Sequence, residues 1–361
     1  MWPHIHFIPR HKGDAKKIVI QFLLVTAVLS ALLDNVTTVI LIAPITILIT
    51  QLLEVRTAPI LILLAIFSNI GGTATLIGDP PNIIIGSATT LSFNDFVVNL
   101  GPIVVVITLV CLAIARFQLG ASLNAPVEAQ RRVMMAEPGL AILDHSLLNR
   151  CLAVLALIIL GFFTSRLTGF EPGIVALAGA VLMLIVCKID VHAALQKVEW
   201  GTILFFIGLF MLISALEHNG LFEKSGEFLV SATKGNLLAT ALVILWTGAI
   251  ASAIVDNIPL VIAMLPLIKI MIPTFASQMG ISDDPELIHA TIAAPLYWAL
   301  ALGACLGGNG TLIGASANVV IAQVGKRNNC PITFLEFSKA GFPIMILTSA
   351  ISSVYLYLRY F

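Results

Sequence analysis

The chain has 361 residues, of which 59% are apolar and 11% charged, with a formal net charge of zero. A soluble domain carries about 25% charged residues, so this chain lacks the polar groups to cover a surface in water, and no basic excess points to nucleic acid. The composition predicts an all-α polytopic membrane protein embedded in a lipid bilayer.

Residues 1–17 are short and basic and read as a cytoplasmic N-terminal segment. Residues 18–53 are apolar but interrupted at Asp34-Asn35-Val36-Thr37-Thr38. Each arm is about 16 residues, roughly 24 Å as helix, which falls short of a hydrocarbon core about 30 Å thick. A re-entrant hairpin is predicted; two ordinary spans joined by a tight turn are the alternative. Residues 58–70 then run into Gly71-Gly72-Thr73-Ala74-Thr75-Leu76-Ile77-Gly78-Asp79-Pro80-Pro81-Asn82. Glycines and prolines at that density interrupt a helix, and the apolar pattern resumes at Ile83, so one span with an unwound middle is expected. A full span follows over residues 96–115. Residues 118–149, with Glu128, Arg131, Arg132, Glu137 and Asp144, read as a loop between two halves.

Apolar runs then cover residues 152–163, 173–187 and 202–216. Residues 237–272 are interrupted at Asp256-Asn257-Ile258-Pro259. Residues 288–306 end in Gly307-Gly308-Asn309-Gly310-Thr311-Leu312-Ile313-Gly314-Ala315-Ser316-Ala317-Asn318, and a last span covers about residues 340–358.

The two glycine breaks align without a gap, GGTATLIGDPPNIIIG on GGNGTLIGASANVVIA, and each follows an Asp-Asn interruption. Paired broken helices mark the midplane site of a transporter. The chain divides into a first transport repeat at 18–117, a cytoplasmic linker at 118–149 and a second repeat at 150–361, with scaffold helices at 150–236 and transport elements at 237–361. Nothing before Asp34 matches residues 152–216, so the first repeat is read as N-terminally shortened, a naturally shorter protein being the alternative.

Positive charge orients the spans. If residues 18–53 form a hairpin, one side carries Arg10, Lys12, Lys16, Lys17, Arg56, Arg116, Arg131, Arg132, Arg150, Lys188, Lys197, Lys326 and Arg327. The other carries Arg166, Lys224, Lys234 and Arg359. The basic side is expected in the cytoplasm, and the hairpins then enter from opposite faces as inverted repeats.

Asp34 and Asp256 are acids in apolar surroundings, where an ionisable group costs about 2.5–3.5 kcal/mol, so function is the first reading. Each can bind Na⁺, take a proton, or cap the arm that follows. Asn35, Asn257, Thr37 and Thr38 add polar groups beside them. Bare backbone at Gly71, Gly72, Gly307 and Gly308, with Thr73, Thr75, Asn82, Asn309, Thr311, Ser316 and Asn318, suits a binding site between helix ends; a kink that packs helices closely is the alternative. Helix N-termini are expected near Pro81 and Ala317. Asp79 has Ala315 as its counterpart and reads equally as cation ligand or N-cap. Lys269 reads as snorkelling to the interface.

Cys111, Cys151, Cys187, Cys305 and Cys330 show no CxxC pairing, which argues against a disulfide framework and a zinc site. With no P-loop, nucleophile elbow or metal-hydrolase spacing, the chain does not read as an enzyme, and no cofactor is implied beyond a coupling H⁺ or Na⁺. A separate ATPase subunit stays open.

Through DNVTTVILIAPITILI, SNIGGTATLIGDPPNIIIGSA, VEWGTILFFIGLFMLISALEHNGLFE, DNIPLVIAMLPLI and GACLGGNGTLIGASANVV, the chain resembles the ion transporter superfamily. The similarity is to its arsenite-efflux, sodium/proton-antiporter and P-protein branch, with a citrate-transporter-like domain. The resemblance implies a scaffold and a transport domain moving as an elevator, often as a homodimer. The expected location is a prokaryotic inner or plasma membrane, with the basic loops in the cytoplasm. It places hairpin tips at Asp34–Thr38 and Asp256–Pro259. The dicarboxylate branch has Ser-Asn-Thr at those tips, so Asp-Asn here sets sodium-coupled dicarboxylate uptake behind arsenite-type efflux and sodium/proton antiport. A remnant or assembly subunit that does not transport, and a channel, are the readings from other classes.

Overall fold

The structure, a computed structural model, describes residues 14–119, 125–134, 144–198, 200–217 and 221–361, and these residues form helices and turns without a strand. Eight helices among them are long and apolar enough to cross a membrane.

Helices α1 (Ala15–Leu32) and α2 (Asn35–Leu52) are joined by Leu33 and Asp34 alone, both extended. Two residues permit only a reversal, so the arms pack on each other and on α3 (Thr57–Gly72). The predicted reversal is therefore present, and each arm is itself long and apolar enough to cross a membrane, so a re-entrant hairpin and two spans joined by a tight turn both fit it. Helix α3 is buried from Ile60 to Gly72, as expected of a segment apolar on every side. It ends at the glycine break, and the chain resumes as α4 (Pro80–Ala88). Helix α5 (Phe93–Leu119) is a long span carrying Pro102.

The polar linker is not all loop. Helix α6 (Val127–Met134) forms within it and packs on α2, because Ala129 and Val133, four residues apart, present one buried edge. Residues 135–143, with Glu137, lie outside the described residues. Helices α7 (His145–Thr168) and α8 (Pro172–Val186) make a second antiparallel pair through a left-handed Gly169 cap. Helix α9 (Val191–Leu195) is a single turn. Helix α10 (Trp200–Glu217) keeps most of its apolar side chains exposed. Helix α11 (Leu221–Ala232), an amphipathic segment with no sequence prediction, packs on the helix that follows the second Asp-Asn turn. His218, Asn219 and Gly220 lie outside the described residues.

Helices α12 (Leu237–Ile254) and α13 (Asn257–Met279) repeat the first hairpin, with Val255 and Asp256 at the tip. Helix α14 (Pro285–Ile288) leads through a π turn at His289–Ala293 into α15 (Ala294–Gly307). The π turn falls just before Pro295, whose ring excludes a regular turn beneath it. A 3₁₀ turn at Gly308–Gly310 precedes α16 (Ser316–Arg327). Helix α17 (Phe334–Tyr360) matches α5 in its 27 residues and in a proline at the tenth position, Pro343 against Pro102.

The packing repeats as well. Helix α15 lies buried beside α12 as α3 lies beside α1. The halves interlock: α16 packs on α2, and α4 packs on α13. The long helices α5 and α17 flank this core, whereas α7 and α8 stand at its edge.

Candidate functional site

The repeat extends to single hydrogen bonds. Ser30 Oγ donates to the Ser68 carbonyl at 2.6 Å, and Ser252 Oγ to the Ala304 carbonyl at 2.7 Å. Thr75 Oγ1 donates to the Ala31 carbonyl and Thr311 Oγ1 to the Ala253 carbonyl, both at 2.6 Å. Asn82 Nδ2 donates to the Thr73 and Thr75 carbonyls, and Asn318 Nδ2 to the Gly308 and Thr311 carbonyls, all between 2.8 and 3.1 Å. Each hairpin is thereby tied to its neighbouring break, and each break closes on a buried asparagine. Thr75 and Thr311 serve these ties, and Thr73 Oγ1 donates back to the Asn69 carbonyl at 2.8 Å, so the three hydroxyls are committed to backbone.

Where the halves meet, the ties run between side chains. Asn69, in α3, accepts from Asn35 Nδ2 at 3.1 Å through Oδ1. Its own Nδ2 donates to Asn309 Oδ1 and to Asn318 Oδ1, both at 3.0 Å. These four carboxamides are all buried. On the pseudo-symmetric side, Cys305 stands where Asn69 does and donates through Sγ to Asn82 Oδ1 at 3.5 Å. Asn257 Nδ2 donates to Asp79 Oδ1 at 3.3 Å.

Asp79 occupies the N-cap position of α4 but accepts no hydrogen bond there. Its side chain is fully buried, and Oδ2 has no partner. Asn257 and the Cys305 thiol are its polar neighbours, and neither is a cation. A buried carboxylate without an opposite charge costs several kcal/mol, which a bound cation or proton offsets. Asn35 Oδ1, Thr38 Oγ1 and Asn309 Nδ2 are likewise buried without partners. The core thus offers open acceptors and an open donor.

Asp34 and Asp256 are placed differently. Asp34 is only half-buried; it accepts from the Thr37 amide at 2.9 Å and from the Thr37 hydroxyl. Asp256 accepts from the Ile258 amide at 3.0 Å and from Ser316 Oγ at 3.3 Å. Both acids therefore cap the arms that follow them, and Thr37 stays exposed at the tip. Both lie within electrostatic reach of Asp79. Asp34→Ala is expected to cost about 1 kcal/mol, and Asp34→Asn only a few tenths, since asparagine caps as well. Thermal unfolding in detergent separates the two; equal losses would show that the charge, not the cap, is what the fold uses.

The helix N-termini at the breaks also differ. Helix α4 begins with Pro80 and Pro81, which carry no N–H, so its end presents fewer backbone donors than expected for an anion site. Helix α16 begins with Ser316 and Ala317, which carry theirs. Gly71, Gly72, Gly307 and Gly308 act through close packing: a Cβ at Gly71 would lie 2.0 Å from the Ala27 carbonyl oxygen, and one at Gly307 2.5 Å from that of Ala249. Lys269 is exposed beside a cavity of about 220 Å³ lined by Phe210, Ile213 and Pro266.

Sequence reasoning missed Asn69 and Cys305. The signal was present: each lies two residues before a Gly-Gly pair, and aligning the repeats sets Asn69 on Cys305. No group of three or more His, Cys, Asp or Glu able to hold a metal occurs among the described residues.

Comparison with known proteins gives one consistent set. A family model described as citrate transporter matches residues 2–303. An uncharacterized transporter of Mycobacterium tuberculosis is 42% identical over 354 residues, covering 98% of this chain and 79% of the relative. The 46 kDa membrane protein of Mycobacterium leprae is 38% identical over 351 residues, with 97% and 79% covered. The human P protein is 34% identical over 425 residues, an alignment spanning 96% of this chain and 49% of that protein.

Proposed function

This chain belongs to the citrate transporter family, and from that premise we propose that it is an ion-coupled carrier for a small oxygen-bearing solute, with Asp79 as the coupling acid. It is a multi-pass membrane transporter; the coupling, the solute and the motion are our reading. The observation that carries it is the buried Asp79 Oδ2, which makes no hydrogen bond, in a core that also holds four buried, uncharged asparagine side chains.

The two half-sites suit different passengers. The Asp79 side has a carboxylate, the carboxamide of Asn257 and a helix whose first two residues are prolines without N–H groups, which favours H⁺ or Na⁺. The Asn69 side has amides and, through Asn318, the first turn of α16, which favours a neutral hydroxide or a weak anion. None of these side chains is cationic. A free citrate ion would bring its carboxylates toward Asp34, Asp79 and Asp256 without an arginine or lysine among the site residues to meet them. Arsenous acid, small and neutral, fits the donor set better, and we place arsenite-type efflux first, with sodium/proton antiport at Asp79 second. Asp34 and Asp256, at the tips, assist as gates to the same acid.

In this reading the hairpins and broken spans move together as an elevator against α7 to α11, from inverted repeats with the basic loops in the cytoplasm of a prokaryotic cell. The exposed apolar side of α10, with Phe205, Phe210 and Met211, offers the face for a homodimer. Proteoliposomes decide the matter. A proton or sodium gradient is expected to drive arsenite flux at least tenfold above protein-free vesicles. Gradient-driven flux of citrate without flux of arsenite would overturn the choice of solute. Flux of every solute independent of any gradient would overturn coupling.

A further inference from the structure

A cluster of sulfur atoms lies apart from the transport site, where the start of α7 meets the end of α8. Cys151 Sγ and Cys187 Sγ are 3.3 Å apart, and Cys187 Sγ is 3.4 Å from Met183 Sδ. Met183 and Cys187 stand four residues apart, so they share one face of the α8 end. Cys151 comes from the second turn of the facing helix. Both cysteines are unbridged.

We propose that Cys151, Met183 and Cys187 form a binding site for a soft monovalent cation, copper(I) or silver(I). Sulfur-only donor sets of thiolate and thioether select such ions over zinc, calcium or magnesium. A trigonal ion with sulfur bonds near 2.3 Å holds its sulfurs about 4 Å apart. The two contacts of Cys187, to Cys151 at 3.3 Å and to Met183 at 3.4 Å, therefore need only a small opening of flexible side chains. Binding releases the two thiol protons to water and leaves the ion in its +1 state, so the complex carries one negative charge. Arg150 supplies the counter-charge: its Nη1 donates to the Val186 carbonyl at 3.1 Å, beside Cys187. The neighbours Arg150 and Lys188 also place this end among the basic loops. There a cytoplasmic setting keeps thiols reduced, and a thioether has no part in a disulfide. The ion would staple α7 to α8, the edge pair of the fold.

The test uses the purified full-length chain and anaerobic copper(I), held in competition with a chromophoric chelator. The expected result is one tightly bound ion per chain. Cys151→Ser and Cys187→Ser are each expected to weaken it at least 100-fold, and Met183→Leu about tenfold. Cys111→Ala and Cys330→Ala are expected to change nothing. Unchanged affinity in the serine variants, or copper retained by Met183→Leu at full strength, would overturn the three-sulfur site. Met183→Leu keeps volume and helix propensity, so it stays informative if a serine variant misfolds. Oxidant-induced linkage of Cys151 to Cys187 without copper binding would assign the pair to a disulfide instead.

Discussion

On the proposed coupling role, Asp79→Asn is expected to lower gradient-driven flux at least 100-fold and to leave the protein folded. The substitution keeps the shape, and an amide oxygen at Oδ1 can still accept from Asn257 Nδ2, now 3.3 Å from the carboxylate. What is lost is the charge at a fully buried position whose second oxygen has no partner. Removing a charge that the fold does not pair relieves a desolvation cost. Thermal stability in detergent is therefore expected to hold or rise while transport falls. That opposition separates a coupling acid from a structural one: a structural acid would lower both together. Flux within twofold of wild type would remove Asp79 from the mechanism.

The second large effect concerns the glycines that precede the breaks. Alanine for glycine inside a helix ordinarily gains about 1 kcal/mol. At Gly71 and Gly307 the sign is expected to reverse, because the new methyl group would meet the backbone of the first hairpin arm, 2.0 Å from Ala27 O and 2.5 Å from Ala249 O. Backbone cannot rotate away as a side chain can, so each helix must move outward, at a cost of about 1–3 kcal/mol or more. Gly101 and Gly208 have open space around them and serve as controls. Gly71→Ala and Gly307→Ala should each lower the unfolding temperature, and by similar amounts, while the controls do not. A Gly71→Ala protein as stable as Gly101→Ala would mean that the close crossing of α1 and α3 is absent.

The family resemblance read from the motifs agrees with the comparisons, and the helical, many-span fold agrees with the structure. Both hairpins and both breaks were legible because interruptions of a long apolar run are conspicuous and because each occurs twice. Helices α6 and α11 were not, since a short amphipathic segment among polar residues leaves little periodicity to read. The site was legible in outline only. Asp34 and Asp256 drew attention as acids in apolar sequence, yet their oxygens are engaged in capping, which depends on backbone geometry. Asp79, with a glycine and a proline on either side, looked equally like a cap, and only its burial and lack of a capping bond set it apart. Asn69 was hidden because a lone amide in a buried helix shows its importance through partners some 240 residues away.

The prolines of α4 and the buried carboxylate of Asp79 beside them, one oxygen of which makes no hydrogen bond, have an electrical consequence. A carrier returning empty would have to take the bare charge of Asp79 through a medium that resists it. On the proposed coupling role, H⁺ or Na⁺ bound there would neutralise the group and remove that cost. The repeat has alanine, not a second acid, at the matching position 315, so at most one such charge is at stake at this pair of positions. A charge crossing the full membrane responds to voltage by about 2.3 kcal/mol per 100 mV, so one aspartate would set both the tightness of coupling and the carrier's sensitivity to membrane potential.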